Sequence, residues 1–352
     1  MNDLADLERL TAWLDAHIPE LGDAPLRVEL VHGGTSNVIM ELNRGGLPMM
    51  LRRPPAVPPP GSEKTVLREA RVLAALAGTA VPHPRCFGTC ADAAVIGAPF
   101  YVMARVDGWA AELRDGRIYH HAPFDRAPRE AEIGFALVDG LIALSNVDYR
   151  AVGLEGFGRP DDFHARQVDR WERQLGSYAE LYDYPGRALP GYTYARDWLR
   201  ANIPDGFRPG IMHGDVGTPN ALFAFDAPAR LTALIDWELS TIGDPLLDLA
   251  WFCNGLRDTR DPPDHPPAKD LYNAANLPTR QDLVAHYAAG TGRDVSHFDY
   301  YLILAMFKGG CILEYKVAQA AKGILSPATG ALFDRLVLAN FSEAERLARR
   351  AG

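Results

Sequence analysis

His213-Gly214-Asp215-Val216-Gly217-Thr218-Pro219-Asn220 decides the reading of this chain. It sets a carboxylate five residues before a carboxamide, in a loop between the short apolar runs 211–212 and 221–225. Phosphoryl transfer calls for such a pair: a carboxylate that accepts a hydroxyl proton, and a neutral oxygen that ligates Mg²⁺. Asp and Asn are also favoured turn residues, so the octapeptide alone admits a plain loop. Sixteen residues after Asn220, the run Ile235-Asp236-Trp237-Glu238 delivers Asp236 at the end of a strand predicted over 231–235. A strand-end carboxylate beside Asn220 gives an oxygen-only set suited to a hard cation, where zinc would call for Cys or paired His. Residues 243–250 then open a helix. Its Asp244 and Asp248 are placed to cap backbone amides, and Asp248 is read as a brace for the 213–220 loop. Glu238 stays open between metal-facing, supporting and exposed.

Outward from this core, the first hundred residues read as mostly β. The runs 26–31, 37–42 and 49–52 are short, apolar or alternating, and Gly45-Gly46 joins the last two as a hairpin turn. Residues 54–60 are too rich in Pro for a helix or a central strand. Ser62 is expected to cap a helix over 63–77, where Val66, Ala70, Leu73 and Ala77 share a face. Another strand is predicted over 100–106. Beyond it the period changes: helices are expected over 130–144, 162–182, 298–322 and 328–350, and the four prolines within 258–269 indicate a loop or lid. The fold class is therefore α+β, with a small β-rich lobe over 1–105 and a larger, mainly helical lobe over 106–352.

Composition narrows the function. The chain has 352 residues, 36 Lys plus Arg against 45 Asp plus Glu, and a net charge of −9. An acidic surface disfavours nucleic acid as a partner, because phosphate backbones call for clustered cations. No apolar run approaches the ~18 residues of a membrane span, and residues 1–17 form an acidic amphipathic pattern rather than a signal peptide. Four cysteines in a chain of this length are not needed as disulfides, so a reduced, cytoplasmic protein is expected. Cys86 and Cys90 with His83 lack a second ligand pair and read as strand or loop. His120 and His121 point to opposite sides of an extended chain. Tyr300, Tyr301, Phe307 and Tyr315 read as core and groove aromatics, while Lys308, Glu314 and Lys316 either touch an acceptor or form a solvated face.

The pair of motifs, HGDVGTPN and the LIDWELSTIGDPLLDLAW that spans 234–251, resembles the aminoglycoside phosphotransferase family of protein-kinase-like small-molecule kinases. The resemblance covers residues 25–340. It implies a bilobal kinase-like fold, ATP or GTP between the lobes, and transfer of the γ-phosphoryl to a small-molecule hydroxyl. Carried over by position, Asp215 is the catalytic base, His213 orders the loop, and Asn220 and Asp236 hold Mg²⁺. Gly33, Gly34, Thr35, Ser36 and Asn37 fall where the family covers the phosphates. Glycine amides approach phosphate closely there, although a Gly-Gly pair is equally a hairpin turn. The kinase pattern also places a cation on the third strand, paired with a helix carboxylate, and Arg52 with Glu69 is the expected pair. Met103 and Arg105 lie on the lobe-connecting strand whose backbone meets the purine.

Arginine in place of lysine alters how phosphates are held, since guanidinium is bidentate and ammonium a point charge. LRRPP followed by REARVL resembles the branch of kinase-like domains fused to acyl-CoA dehydrogenases. That branch points to a hydroxyacyl-CoA or similar hydroxylated metabolite as acceptor, and away from antibiotic resistance. Two departures stand out: Leu144-Ser145 where relatives have Leu-His, and the Val216–Pro219 filling of the catalytic loop. The alternative is a nucleotide-binding pseudokinase with a regulatory role. A scaffold that had lost nucleotide would have no use for Asp215, Asn220 and Asp236 together.

Overall fold

The structure, a computed structural model, describes residues 6–33, 37–57, 61–114, 116–262, 265, 271–273 and 275–352, with His32 and Gly33 as backbone only. Helix α1 (Leu7–His17) precedes strands β1 (Arg27–Gly33), β2 (Val38–Arg44) and β3 (Leu47–Arg53). Helix α2 (Ser62–Ala75), β4 (Cys86–Cys90) and β5 (Phe100–Ala104) follow. The strands form one antiparallel sheet in the order β1-β2-β3-β5-β4. Gly45 and Gly46 both have positive φ, +61° and +82°, at the turn between β2 and β3, the conformation that a tight hairpin needs.

Period-2 alternation gives this sheet two different faces. Val38, Met40, Leu42, Met49, Leu51, Phe100 and Val102 point to one side, where Leu10, Trp13 and Leu14 of α1 complete a separate hydrophobic cluster. Ile39, Glu41, Met50, Arg52, Tyr101 and Met103 point to the other side and line a cavity. A one-residue slip in register would exchange the two sets, so the apolar face also fixes where Arg52 points.

The helical lobe carries the short hairpin β6 (Glu112–Arg114) and β7 (Arg117–Tyr119), then α3 (Glu130–Ser145), α4 (Ala165–Tyr182) and α5 (Tyr192–Ala201). The catalytic motifs lie among β8 (Gly210–Met212), β9 (Ala221–Phe223), β10 (Leu231–Leu234) and β11 (Thr241–Gly243), where β8 pairs with β11 and β9 with β10. Helices α6 (Leu246–Cys253), α7 (Arg280–Thr291), α8 (Phe298–Ala321) and α9 (Pro327–Ala351) complete the chain. Helix α8 supplies the centre of the larger core, with Tyr300 to Phe307 all buried. Helix α2 belongs to that same core through Val66, Ala70 and Leu73, although it is threaded between strands of the small sheet.

Some expectations need correction. Ser62 does not precede the helix as its cap but is its first residue, following Gly61 at φ +87°. Lys308 and Glu314 are not a solvated face: both are buried, and Glu314 holds Arg187 at 2.8 Å and accepts from Tyr184 at 2.6 Å. Helices α5 and α7 were not predicted, because Pro and Gly before Tyr192 and a mixed apolar pattern across 280–291 hide their period. His120 is buried against Glu130 and His121 is exposed. Cys86 and Cys90 are free thiols bounding β4. Much of the 258–269 segment lies outside the described residues. No helix among the described residues is long and apolar enough to cross a membrane.

Candidate active site

Strand β8 delivers His213, Gly214 and Asp215 at its end, and the buried carboxylate of Asp248 on α6 fixes them. Its Oδ2 accepts the His213 amide at 2.6 Å and its Oδ1 the Gly214 amide at 2.9 Å. Burial pushes this carboxyl above its usual range, against the pull of His213 and the two amides. Gly214 sits at φ +90°, and a Cβ there would come within 2.4 Å of the Leu239 carbonyl oxygen, which only glycine avoids. The His213 ring bridges to the Ile235 carbonyl at 2.8 Å, so the loop is tied to the strand that leads into Asp236.

Asp215 is half-buried and held from two sides. Asn220 Nδ2 donates to its Oδ2 at 3.0 Å and to its main-chain oxygen at 2.9 Å, and Trp251 Nε1 donates to its Oδ1 at 3.1 Å. Residues 218–220 make a tight helical turn that sets this geometry despite the unusual Gly217 and Pro219. With its nitrogen committed to Asp215, the Asn220 amide keeps Oδ1 as a ligand atom. Trp251 was not singled out from the sequence, yet it stands three residues after Asp248 on one helical face, a spacing that points it at the same loop.

Lys308 is the second residue whose role the sequence left open. Its Nζ donates to the Gly214 carbonyl at 2.7 Å and lies over the Trp251 ring at 4.2 Å and the Trp171 ring at 5.6 Å. A lysine inside the apolar run 300–313 is the signal that marks it. Burial pulls its pKa down to about 8 from 10.5, with Asp215 and Asp248 opposing. The folded state therefore binds fewer protons than the unfolded chain between those values, and stability from this group rises with pH across that window. Compared with Lys308→Met in denaturant titrations at pH 7 and pH 10.5, the wild type should gain about 3 kcal/mol at the higher pH. A pH-independent difference between the two proteins would refute a depressed Lys308 pKa.

Across the cleft, Arg52 joins both lobes. Its Nε meets Glu69 at 3.1 Å, and its Nη2 donates to Asp236 at 2.8 Å and lies 3.6 Å from Glu238. Tyr101, opposite Arg52 in the β3–β5 register, donates to Glu69 at 2.9 Å. Burial raises the Glu69 carboxyl, with Arg52 and Tyr101 opposing. Burial alone would lower Arg52, but Glu69, Tyr101 and Asp236 raise it above its ordinary value. Asp236 adopts φ 65°, ψ 62°, a left-handed conformation that costs a non-glycine residue about 1–2 kcal/mol. Asn37 Nδ2 approaches Glu238 at 3.4 Å.

These residues border two cavities. One, of about 440 Å³, takes in Arg52, Tyr101, Met103, Arg105, Asn220 and Asp236. The other, of about 300 Å³, takes in Asp215, Asn220, Trp251, Asn254 and Tyr272. Asn220 borders both. Glu69 stands behind Arg52 rather than in the first cavity, and His213 is buried behind the loop. Gly33 ends β1, while Gly34, Thr35 and Ser36 lie outside the described residues. The oxygen donors of Asn220, Asp236 and Glu238 fit a hard divalent cation. Elsewhere among the described residues, Asp261, His265 and Glu343 converge, but Arg346 and Arg350 already neutralise that group.

The model of the phosphotransferase enzyme family matches residues 27–283. The chain belongs to that family. Among its relatives, acyl-CoA dehydrogenase family member 11 of Rattus norvegicus is 30% identical over 328 residues, which cover 91% of this chain and 39% of the rat protein. The chain thus spans well under half the length of that relative. A crystal structure of a candidate aminoglycoside phosphotransferase from Ralstonia eutropha JMP134 is 29% identical, with a TM-score of 0.79 and coverage of 98% of this chain and 99% of that one. A thermostable aminoglycoside phosphotransferase APH(4)-Ia variant, solved with AMP-PNP and hygromycin B, shares the fold at 14% identity and a TM-score of 0.56, covering 97% of each chain. The phosphotransferase family thus accounts for the kinase-like, bilobal architecture of this chain.

Proposed function

We propose that the protein transfers the γ-phosphoryl of ATP, or of GTP as the alternative donor, to a hydroxyl of a small molecule in an Mg²⁺-dependent reaction. The proposed acceptor is a hydroxyacyl-CoA or a similar hydroxylated metabolite, in keeping with relatives named as acyl-CoA dehydrogenases. The observation that carries the reading is Asp215, oriented by Asn220 and Trp251 at the border between two cavities.

In this reading the larger cavity takes the nucleotide, its purine along Met103 and Arg105 and its phosphates toward Arg52. Asp236 and Asn220 would hold Mg²⁺, which would supply charge neutralisation at the phosphate oxygens. The acceptor enters the smaller cavity. Asp215 aligns its hydroxyl and takes the proton onto a carboxylate oxygen, while the Trp251 and Asn220 donors keep that carboxylate in one orientation. Lys308 steadies the loop from below through Gly214.

The ion pair between Arg52 and Asp236 favours a second reading, a nucleotide-binding pseudokinase in which that contact persists. One assay separates the two: Mg²⁺-dependent ATP consumption over a panel of hydroxyacyl-CoAs, sugars, amino alcohols and aminoglycosides. Turnover with one acceptor class is expected. Binding of ATP and Mg²⁺ without turnover across the panel would favour the pseudokinase.

A further inference from the structure

Another cavity, of about 230 Å³, is lined by four arginines, Arg159, Arg166, Arg170 and Arg173, with Thr241 of β11. Arg68 and Arg71 of α2 stand nearby with their guanidinium groups on the Phe157 ring, and Arg68 also donates to the Ser240 carbonyl next to Thr241. In a chain of net charge −9, none of these six cations forms an ion pair with a carboxylate among the described residues. The acidic residues around them offer main-chain carbonyls instead: Glu155 to Arg71, Asp161 to Arg166, and Asp169 to Arg173. The side chains of Asp169 and Glu172 are turned toward α5, where Arg200 holds both.

Like charges gathered without counter-ions repel one another, even with Arg159, Arg170 and Arg173 exposed and Arg166 half-buried. An anion relieves that repulsion, and guanidinium forks match phosphate oxygens in bidentate fashion. The space is below the ~300–1,000 Å³ of pockets that enclose a whole ligand, so it suits a headgroup rather than a complete nucleotide. Packed side chains lie between it and the proposed base. Arg170 stacks on Trp171 at 4.6 Å, Lys308 lies over both Trp171 and Trp251, and Trp251 donates to Asp215.

We propose that Arg159, Arg166, Arg170 and Arg173 form a site for the phosphate groups of the acceptor, holding a phosphorylated handle remote from the hydroxyl that reacts at Asp215. This rests on the phosphotransferase reading above and deepens it. The acceptor class becomes one whose hydroxyl and phosphates lie at opposite ends of the molecule, as in the thioesters of coenzyme A.

Calorimetry with coenzyme A, pantetheine and inorganic phosphate tests the site, with ADP present at saturation so that the adenine end of the probe does not report on the nucleotide cavity. The wild type should bind coenzyme A at least tenfold more tightly than Arg170→Gln/Arg173→Gln, while pantetheine should not distinguish the two. A matching melting curve verifies that the double variant is folded, and Arg170→Lys/Arg173→Lys should recover part of the affinity through charge alone. Equal coenzyme A affinity in wild type and the Gln variant would overturn the site. Inorganic phosphate binding as tightly as coenzyme A would overturn its role as an acceptor handle. Arginine-dependent coenzyme A binding without phosphoryl transfer to any hydroxyacyl-CoA would leave the site standing and remove the catalytic reading instead.

Discussion

Asp215→Asn lowers kcat by roughly 10²–10⁴-fold, the usual scale for a positioned base, and leaves the KM for nucleotide near the wild-type value. The amide is nearly isosteric but cannot take the hydroxyl proton. It is also mismatched to its neighbours, because Asn220 Nδ2 and Trp251 Nε1 both donate toward this side chain. One of the two donors must then face an NH₂ group. Steady-state kinetics with whichever acceptor the panel identifies gives the answer, and unchanged turnover in the variant would take Asp215 out of the mechanism.

The second large effect falls on metal-coupled binding. In wild type, Mg²⁺ should tighten ATP binding markedly in calorimetry. In Asp236→Ala that increment should vanish, because the charged oxygen of the proposed ligand set is gone. Metal-free ATP binding should survive or improve, since Arg52 loses the carboxylate it holds at 2.8 Å and keeps its fork for phosphate. A variant with full Mg²⁺ dependence would refute the metal assignment.

The site was legible in the sequence wherever one short motif fixes its own geometry. The 213–220 loop, the strand ending before Asp236 and the brace at Asp248 all follow from local spacing, and the structure brings them together. Pairing Arg52 with Glu69 needed the kinase pattern, because the two lie 17 positions apart on different elements and no register links them. Trp251 and Lys308 had signals that make sense only once the loop they touch is in place. Tyr101 had none, since its value comes from lying opposite Arg52 across two strands. The arginine cavity was illegible for the same reason: Arg159 precedes α4, three of its arginines ride on that helix, and its other wall is β11. The strands were easier than the middle helices, because alternation shows within seven residues, whereas α7 offers a weak apolar stripe.

Helix α2 shares its core with the helical lobe, while β3 and its neighbours pack on α1 in a core of their own. The helix also packs against β3, β4 and β5 of the sheet, so Glu69 and Arg52 lie on the same side of the cleft and Asp236 on the other. Any rocking of the sheet over the cleft must stretch the 2.8 Å contact between Arg52 and Asp236, whereas the 3.1 Å contact with Glu69 moves with the sheet. The ion pair with Asp236 is thus a gauge stretched across the joint: it resists opening, and it converts the angle between the lobes into the position of a single guanidinium above the catalytic cleft.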